Sequence, residues 1–254
     1  MDEIAALLSA AGCVAAEDEA AELAEAADGD PAVLHSLAER RMAGEPLAWI
    51  TGRSAFGDLS VRVDHGVYVP RWQSLPLARR AAARLPAGGT AIDLCTGSGA
   101  IAATLGAARP GARVVATDLD PHAVACARAN GVEAYHGDLF AAVPPDLRGT
   151  TDVVVAVVPY VPRPELHLLP RDTLRFEDAS HYDGGPDGTD VLCRVLTEAR
   201  RFLRPGGAVL LELGGDQAHL LRPLMARLGY RSIETWSDED DDPRGVLAVV
   251  RGAA

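Results

Sequence analysis

The sequence predicts an α/β protein: a parallel, doubly wound sheet preceded by a short helical segment. Three observations lead there. From residue 90 onward, short apolar runs alternate with stretches of helical periodicity. Those runs are apolar at consecutive positions, as in strands covered on both faces. The chain before residue 90 has a different texture, rich in Ala, Leu and Glu at first and punctuated by Gly afterwards.

From Ile4 to about Met42, apolar residues recur at helical spacing (Ile4, Leu7 and Leu8; then Val33, Leu34 and Leu37), which predicts two or three short amphipathic helices. Asp30 before Pro31 makes a capped start for the last of them. The stretch "GEPLAWITGRSAFGDLSVRVDHGVYVPR" then turns to β-type alternation and predicts a hairpin connector. Seven strands follow, at 90–95, 112–118, 132–138, 151–158, 207–214, 230–236 and 245–251, with helices at 99–108, 121–130, 187–203 and 216–228. Pro144-Pro145 and "RPGG" read as turns, and "DGGPDG" (183–188) as a tight turn ahead of a helix. The last two strands lie close in sequence, so one of them is expected to return antiparallel at the sheet edge. The acidic "SDEDDDP" (237–243) reads as a solvated loop.

Composition narrows the function. With 254 residues, 48% of them apolar, the chain can bury a large core. All 24 basic residues are Arg, and the formal net charge is −12. Direct binding to nucleic acid is therefore not expected, because phosphate neutralisation calls for a basic face. Cys13, Cys95, Cys126 and Cys193 lie far apart, and no Cys or His spacing suits a metal. No apolar run approaches the roughly 20 residues that span a bilayer, and the acidic N-terminus lacks a leader's basic region. The expectation is a cytoplasmic, monomeric protein with no metal and no membrane contact.

The loops after the first strands carry the chemistry. "AIDLCTGSGAIA" places Asp93 at a strand end, followed by Thr96, Gly97 and Gly99 ahead of a helix, where such a sheet binds its ligand. The glycines also fit a dinucleotide fingerprint, with Asp118 about twenty residues on, so they do not decide the ligand by themselves. Asp93 favours S-adenosylmethionine, since a carboxylate there repels a pyrophosphate and suits an ammonium group. Asp118, with Leu119 beside it, stands where a ribose would sit; Asp138, with Leu139 beside it, is placed for an adenine. A single Asp at a strand end often only caps a turn. Three at successive strand ends form a constellation.

With these residues in place the chain resembles class I methyltransferases, and within them the protein-(glutamine-N5) methyltransferases often called HemK, which modify release factors or a ribosomal protein. The resemblance runs from about residue 38 to the C-terminus. It is carried by "RRMAGEPLAWITG" (40–52), "FGDLSVRVDHGVYVPR" (56–71), "DLCTGSGAIA", "PYVP" (159–162), "LRFED" (174–178) and "DGGPDGTDV" (183–191). It implies a Rossmann-like, seven-stranded, mostly parallel sheet over residues 76–254, a helical substrate-docking segment over 1–52 and a β-hairpin linker over 53–75. It implies a protein substrate and S-adenosylmethionine as cofactor. Asp93, Thr96, Gly97, Gly99, Asp118, Leu119, Asp138 and Leu139 would bind the cofactor.

In that family the acceptor glutamine lies at an Asn-Pro-Pro-Tyr loop. An amide nitrogen is a poor nucleophile, so two acceptors, the Asn side chain and a neighbouring backbone carbonyl, orient its N–H bonds and turn the lone pair toward the methyl group. Here Val157 stands at the Asn position and Val158 at the first Pro, while Pro159 and Tyr160 match. The carbonyl of residue 158 survives the change; the side-chain acceptor does not. The loss of one such partner typically costs on the order of 100- to 1,000-fold in rate. "PRWQSL" (70–75) also departs from the family's acidic pattern, and the N-terminal segment is short. All these differences fall on the acceptor side. Three outcomes stay open: glutamine methylation, methylation of another acceptor, or a cofactor-binding paralogue without activity. Glu177 matches a family position, where it would support the loop or face the acceptor, although an exposed Glu is more often only solvated.

Overall fold

The computed structural model describes residues 2–251; Met1 and residues 252–254, at the ends of the first and last expected segments, lie outside them. The chain opens with α1 (Asp2–Ala10), α2 (Ala16–Ala26) and α3 (Pro31–Met42). Their apolar faces meet in a small core of Ile4, Leu8, Ala16, Ala20, Leu23 and Ala38, distinct from the clusters that cover the sheet. The start of α3 is capped as its sequence predicts: the Asp30 carboxylate accepts from the N–H of Ala32 at 2.8 Å and of Val33 at 3.3 Å. Arg41 on α3 binds Glu19 on α2 at 2.6 Å.

The connector departs from its expected alternation over its first residues. They form a helical turn, α4 (Leu47–Thr51), which Pro46 starts and Gly52, at φ 73°, ends. The turn exists because its side chains serve two cores: Ile50 joins the N-terminal cluster, while Trp49 packs under the connector and donates to the Val67 carbonyl at 2.8 Å. The expected hairpin follows as β1 (Arg53–Phe56) and β2 (Leu59–Arg62).

A helix not foreseen from the sequence comes next, α5 (Leu75–Arg84). It buries Leu77, Ala78, Ala81 and Ala82 on one stripe. Three of these four are Ala, and Arg79 and Arg80 mark its exposed side. The sheet is then built from β3 (Thr90–Leu94), β4 (Arg113–Asp118), β5 (Glu133–His136), β6 (Thr151–Ala156), β7 (Leu203–Glu212), β8 (Tyr230–Ser237) and β9 (Pro243–Val250). The helices between them are α6 (Ala100–Ala108), α7 (Pro121–Ala129), α8 (Arg171–Phe176), α9 (Asp190–Ala199) and α10 (Gln217–Arg227). Of these, α8 was not anticipated.

Strand order is β5-β4-β3-β6-β7-β9-β8, parallel except for β9. The antiparallel strand thus lies one place inside the edge. The crossover through α10 carries β8 to the outside, and the tight acidic turn folds β9 back into the gap beside β7. A second correction concerns "RPGG": Arg204–Gly207 is a bulge within β7, where the pairing jumps from Thr151↔Leu203 to Val153↔Ala208.

Both faces of the sheet are covered, which is why its inner strands are continuously apolar, while the edge strands β5 and β8 are mixed. Ile92, Leu94, Val154 and Leu211 face Leu192 and Leu196 of α9 and Met225 of α10. Ala91, Val153, Val155 and Leu210 face Leu77 of α5 and Leu105 of α6. Every residue of β6 is buried. Truncating a core Leu here to Ala is expected to cost about 2–5 kcal/mol.

Candidate active site at the carboxyl ends of the strands

The chain leaves β3 toward β4 on one side and returns through β6 on the other, so β3 and β6 are neighbours at the point where the winding reverses. A crevice opens there by construction. It is a cavity of about 660 Å³ that reaches from Asp118 and Asp138 at one end to the Val157–Val161 loop at the other.

At the first end, Asp118 closes β4. Its Oδ2 accepts from the Gly97 N–H at 2.8 Å and its Oδ1 from the Asp120 N–H at 3.0 Å. Burial pushes this carboxyl above the ordinary range, and the two backbone N–H groups pull it back. Leu119 is exposed at the rim and Leu139 forms part of the floor. Asp138 is half exposed and pairs with Arg194 of α9 at 2.7 Å. Cys95 (φ 55°) and Leu139 (φ 48°) both hold the left-handed backbone that side chains disfavour, and both line the cavity.

Asp93, Thr96 and Gly99 do not line this cavity. Asp93 is 1% exposed and lies beneath the loop, accepting from Thr96 Oγ1 at 2.6 Å and the Ala102 N–H at 3.2 Å. Burial pushes its carboxyl up to about 7, against the pull of those two bonds. It touches only a void of about 40 Å³, shared with Thr96 and Val157. Gly99, at φ 83°, starts α6, and a Cβ there would lie 3.0 Å from Val132 and 3.1 Å from Ala127. Its work is to let α6 close on α7.

At the other end, Val157 follows β6 and lines the cavity, Val158 is buried in the core, and Pro159 and Tyr160 lead into the loop. The loop is tied down on several sides. The Tyr160 hydroxyl donates to Glu212 Oε1 at 3.0 Å, and the Tyr160 carbonyl accepts from Gln217 Nε2 at 2.6 Å. The Val161 N–H bonds the Tyr182 carbonyl at 2.8 Å, and the Gly184 N–H bonds that of Val161 at 2.9 Å. The "DGGPDG" turn is therefore packed onto the loop: a Cβ on Gly188 would come within 2.2 Å of the Tyr160 oxygen.

Sequence reasoning missed several groups and favoured a solvated place for Glu177, which the fold buries. Glu177 is buried, and Arg71 clasps its Oε1 while Tyr182 donates to its Oε2 at 2.7 Å. Arg71 also reaches the Tyr182 hydroxyl at 3.0 Å and lies over the Tyr68 ring. Burial pushes the Tyr68 phenol, which lines the cavity, up to about 12. Glu212 was missed too, although a Glu closing the apolar run "VLLE" signals a carboxylate at the same sheet edge as Asp118. Its carboxyl is raised, chiefly by burial.

The donor set suits S-adenosylmethionine. Asp118, Asp120, Asp138, Asp183 and Glu212 line the cavity against Arg71, Arg194 and Arg244, a balance that favours a ligand carrying positive charge. Among the described residues, no group of His, Cys, Asp and Glu is placed to hold a metal ion, and no helix is long and apolar enough to cross a membrane.

Residues 76–156 match the family described as Methyltransferase small domain. Among curated proteins, the release factor glutamine methyltransferase of Moorella thermoacetica is 37% identical over 225 residues, covering 84% of this chain and 78% of that one. The enzyme of the same name from Salmonella typhimurium is 36% identical over 220 residues, covering 83% and 78%. Among solved structures, a methyltransferase from Pyrococcus furiosus superimposes with a TM-score of 0.53 at 21% identity, over 85% of this chain and 98% of that one. The ribosomal protein L11 methylase of Lactobacillus delbrueckii subsp. bulgaricus gives 0.52 at 18%, over 72% and 81%. The two structures speak to the fold, a Rossmann-like class I methyltransferase sheet preceded by helices. The identities with the curated proteins, held over most of both chains, go further: the chain belongs to the release factor glutamine methyltransferase family.

Proposed function

We propose that this protein transfers the methyl group of S-adenosylmethionine to the side-chain amide nitrogen of a glutamine in a release factor. One observation carries the reading: a single cavity joins the Asp118–Asp138 end to the Val157–Tyr160 loop, so donor and acceptor can meet within it. When bound, the cofactor supplies an electrophilic methyl group on a sulfonium.

The residues of the chain bind and orient. Asp118, already fixed by two backbone N–H groups, offers its remaining lone pairs to ribose hydroxyls. Leu119 and Leu139 flank an adenine, with Asp138 at its amino edge, and the Gly97 backbone follows the methionine end. Asp93 and Thr96 hold that loop from behind, and Gly99 sets the helix that follows it. On the acceptor side the Val158 carbonyl takes one amide N–H, while Pro159 and Tyr160 wall the slot and Val157 offers no polar atom. Residues 1–52, with their own small core, serve as the docking segment for the protein substrate, 53–75 as its linker and 76–254 as the methyltransferase domain. A release factor as partner sets the place of action in the cytoplasm.

The test incubates the purified protein with labelled S-adenosylmethionine and an extract lacking its own gene product, then locates the methyl group by mass spectrometry. A methyl on a release-factor glutamine supports the proposal. Label on another residue type, or none while the cofactor demonstrably binds, overturns it.

A further inference from the structure

We infer that Glu212 fills the role left vacant at position 157: its Oε2 accepts one N–H of the acceptor amide, an assignment that rests on the glutamine-methylation reading above. The strand register carries the argument. β6 and β7 are parallel neighbours whose last pair is Ala156↔Leu211, so the register carried one residue further brings Val157, just past β6, level with Glu212 at the end of β7. Side chains at level positions of a parallel pair leave the sheet on the same face. Both line the cavity that Val158 and Tyr160 also line. A carboxylate therefore stands beside the valine that has replaced the polar side chain.

That carboxylate has one oxygen engaged and one free. Tyr160 holds Oε1 at 3.0 Å, while Oε2, fully buried, has no hydrogen-bond partner among the described residues. The Ser74 hydroxyl lies close enough to pull the carboxyl's pKa down by hydrogen bonding, more than Tyr160 does, yet its geometry completes no bond to Oε2. Buried carboxylate oxygens are rarely left unmatched, because each forfeits the hydrogen bonds it would make to water. A ligand N–H in the slot supplies the missing donor. The amide then has two acceptors again, the Val158 carbonyl and Glu212 Oε2, and its lone pair is free to face the methyl group.

A carboxylate also does something an amide oxygen cannot. As the nitrogen lone pair forms the new N–C bond and the S–C bond breaks, the bonding pair stays on sulfur as a thioether and the nitrogen becomes positive. A negative acceptor stabilises that charge more strongly than a neutral one. The N–H proton then passes to Oε2 and from there to solvent, which leaves Glu212 ionised for the next turnover. Burial raises its carboxyl, which brings it closer to neutrality as a proton acceptor. The groups facing it are Tyr160 from the loop, Tyr68 and Ser74 from the connector and Arg244 from β9.

The experiment uses the full chain, labelled S-adenosylmethionine and a purified release factor. Glu212→Gln is expected to lower kcat on the order of 100- to 1,000-fold, leave cofactor affinity unchanged and abolish the acid limb of the kcat–pH profile. Val157→Asn should restore at least about tenfold of the 100- to 1,000-fold lost in the Glu212→Gln protein, and more there than it adds to the parent. Turnover by Glu212→Gln within about twofold of the parent overturns the inference, as does a loss that spares the acid limb and is not relieved by Val157→Asn. Where Glu212→Gln does not fold, the parent's acid limb and its displacement in Glu212→Asp carry the test, and a flat profile overturns it. A parent protein that leaves glutamine unmethylated sinks the functional reading itself, a result distinct from an active parent with an equally active Glu212→Gln.

Discussion

Gln217 bridges two loops that come from different strands: its Nε2 donates to the Tyr160 carbonyl at 2.6 Å, and its Oε1 accepts from the Gly214 N–H at 3.0 Å. The first residue of α10 thereby fixes the acceptor loop after β6 to the end of β7. Gln217→Leu leaves both backbone groups unpaired, at about 1–3 kcal/mol for each. The expected result is a lower melting temperature together with a turnover reduced tenfold or more, as is usual when a reacting group loses its fixed geometry. Cofactor affinity should hold, since the Asp118 end is untouched. Calorimetry beside single-turnover kinetics separates these readings; weaker cofactor binding in the variant would contradict the division of the cavity described above.

Arg71 and Glu177 form a mostly buried ion pair that Tyr182 completes, and they join the connector to the segment before α9. Arg71→Met strands the Glu177 carboxylate with only the Tyr182 hydroxyl, and should destabilise the fold by about 2–4 kcal/mol, toward the lower end of what breaking a buried pair costs because Arg71 is partly exposed. The double variant Arg71→Met/Glu177→Met should recover most of the loss. Denaturant unfolding of the single and double variants measures the coupling, and additive losses would refute it.

Cofactor affinity should depend on the acids unequally. Asp118 is largely buried and holds the Gly97 backbone, so Asp118→Ala should weaken S-adenosylmethionine binding about 10- to 100-fold, the worth of a charge-assisted pair of bonds. Arg194→Ala removes the half-exposed partner of Asp138 and should change affinity no more than a few-fold. Isothermal titration gives both numbers. A thermal shift with NAD and none with S-adenosylmethionine would overturn the cofactor assignment.

Asp93 predicts a pH dependence. Its carboxyl titrates near 7 in the folded protein against an ordinary value of 3.8, so the folded state keeps a proton that the unfolded chain releases. The stability this contributes is fully present below about pH 4 and is lost as pH rises through about 7. Asp93→Asn cannot titrate. Relative to it, the parent should lose on the order of 4 kcal/mol between those limits. Unfolding free energies of the two proteins across pH 4–8 test this, and parallel curves would show that Asp93 stays ionised throughout.

The sheet was legible because its inner strands are apolar at consecutive positions and the turns into α6 and α7 carry Gly99 and the capping Asp120, signals that lie within a dozen residues of one another. The helix α5 carries such a signal too, an apolar stripe of Leu77, Ala78, Ala81 and Ala82 against the exposed Arg79 and Arg80, and it went unread because it lies before the first strand of the alternation. The position of β9 was not legible, because strand order depends on where α10 carries the chain, which no local pattern records. At the site, Asp118 and Asp138 were found from their strand-end positions. Asp93 shares that signature and yet lies beneath its loop; only the fold of Thr96 and Ala102 around it decides which way its carboxylate points. Glu177 was read as solvated because its partners, Arg71 and Tyr182, are far from it in the chain or on its other side.

The inner placement of β9 has a consequence for how the protein is made. β7 needs a partner on its outer edge, and that partner, β9, is synthesised after β8, the strand that lies beyond it in the sheet. Until Pro243–Val250 has left the ribosome, β7 presents an unpaired, apolar ladder, and β8 has no strand between it and the sheet. An open edge of this kind is a template for pairing with other chains. The sheet is therefore zipped shut only when β9 slots in between β7 and β8, and a chain interrupted before Pro243 should aggregate rather than fold with one strand fewer.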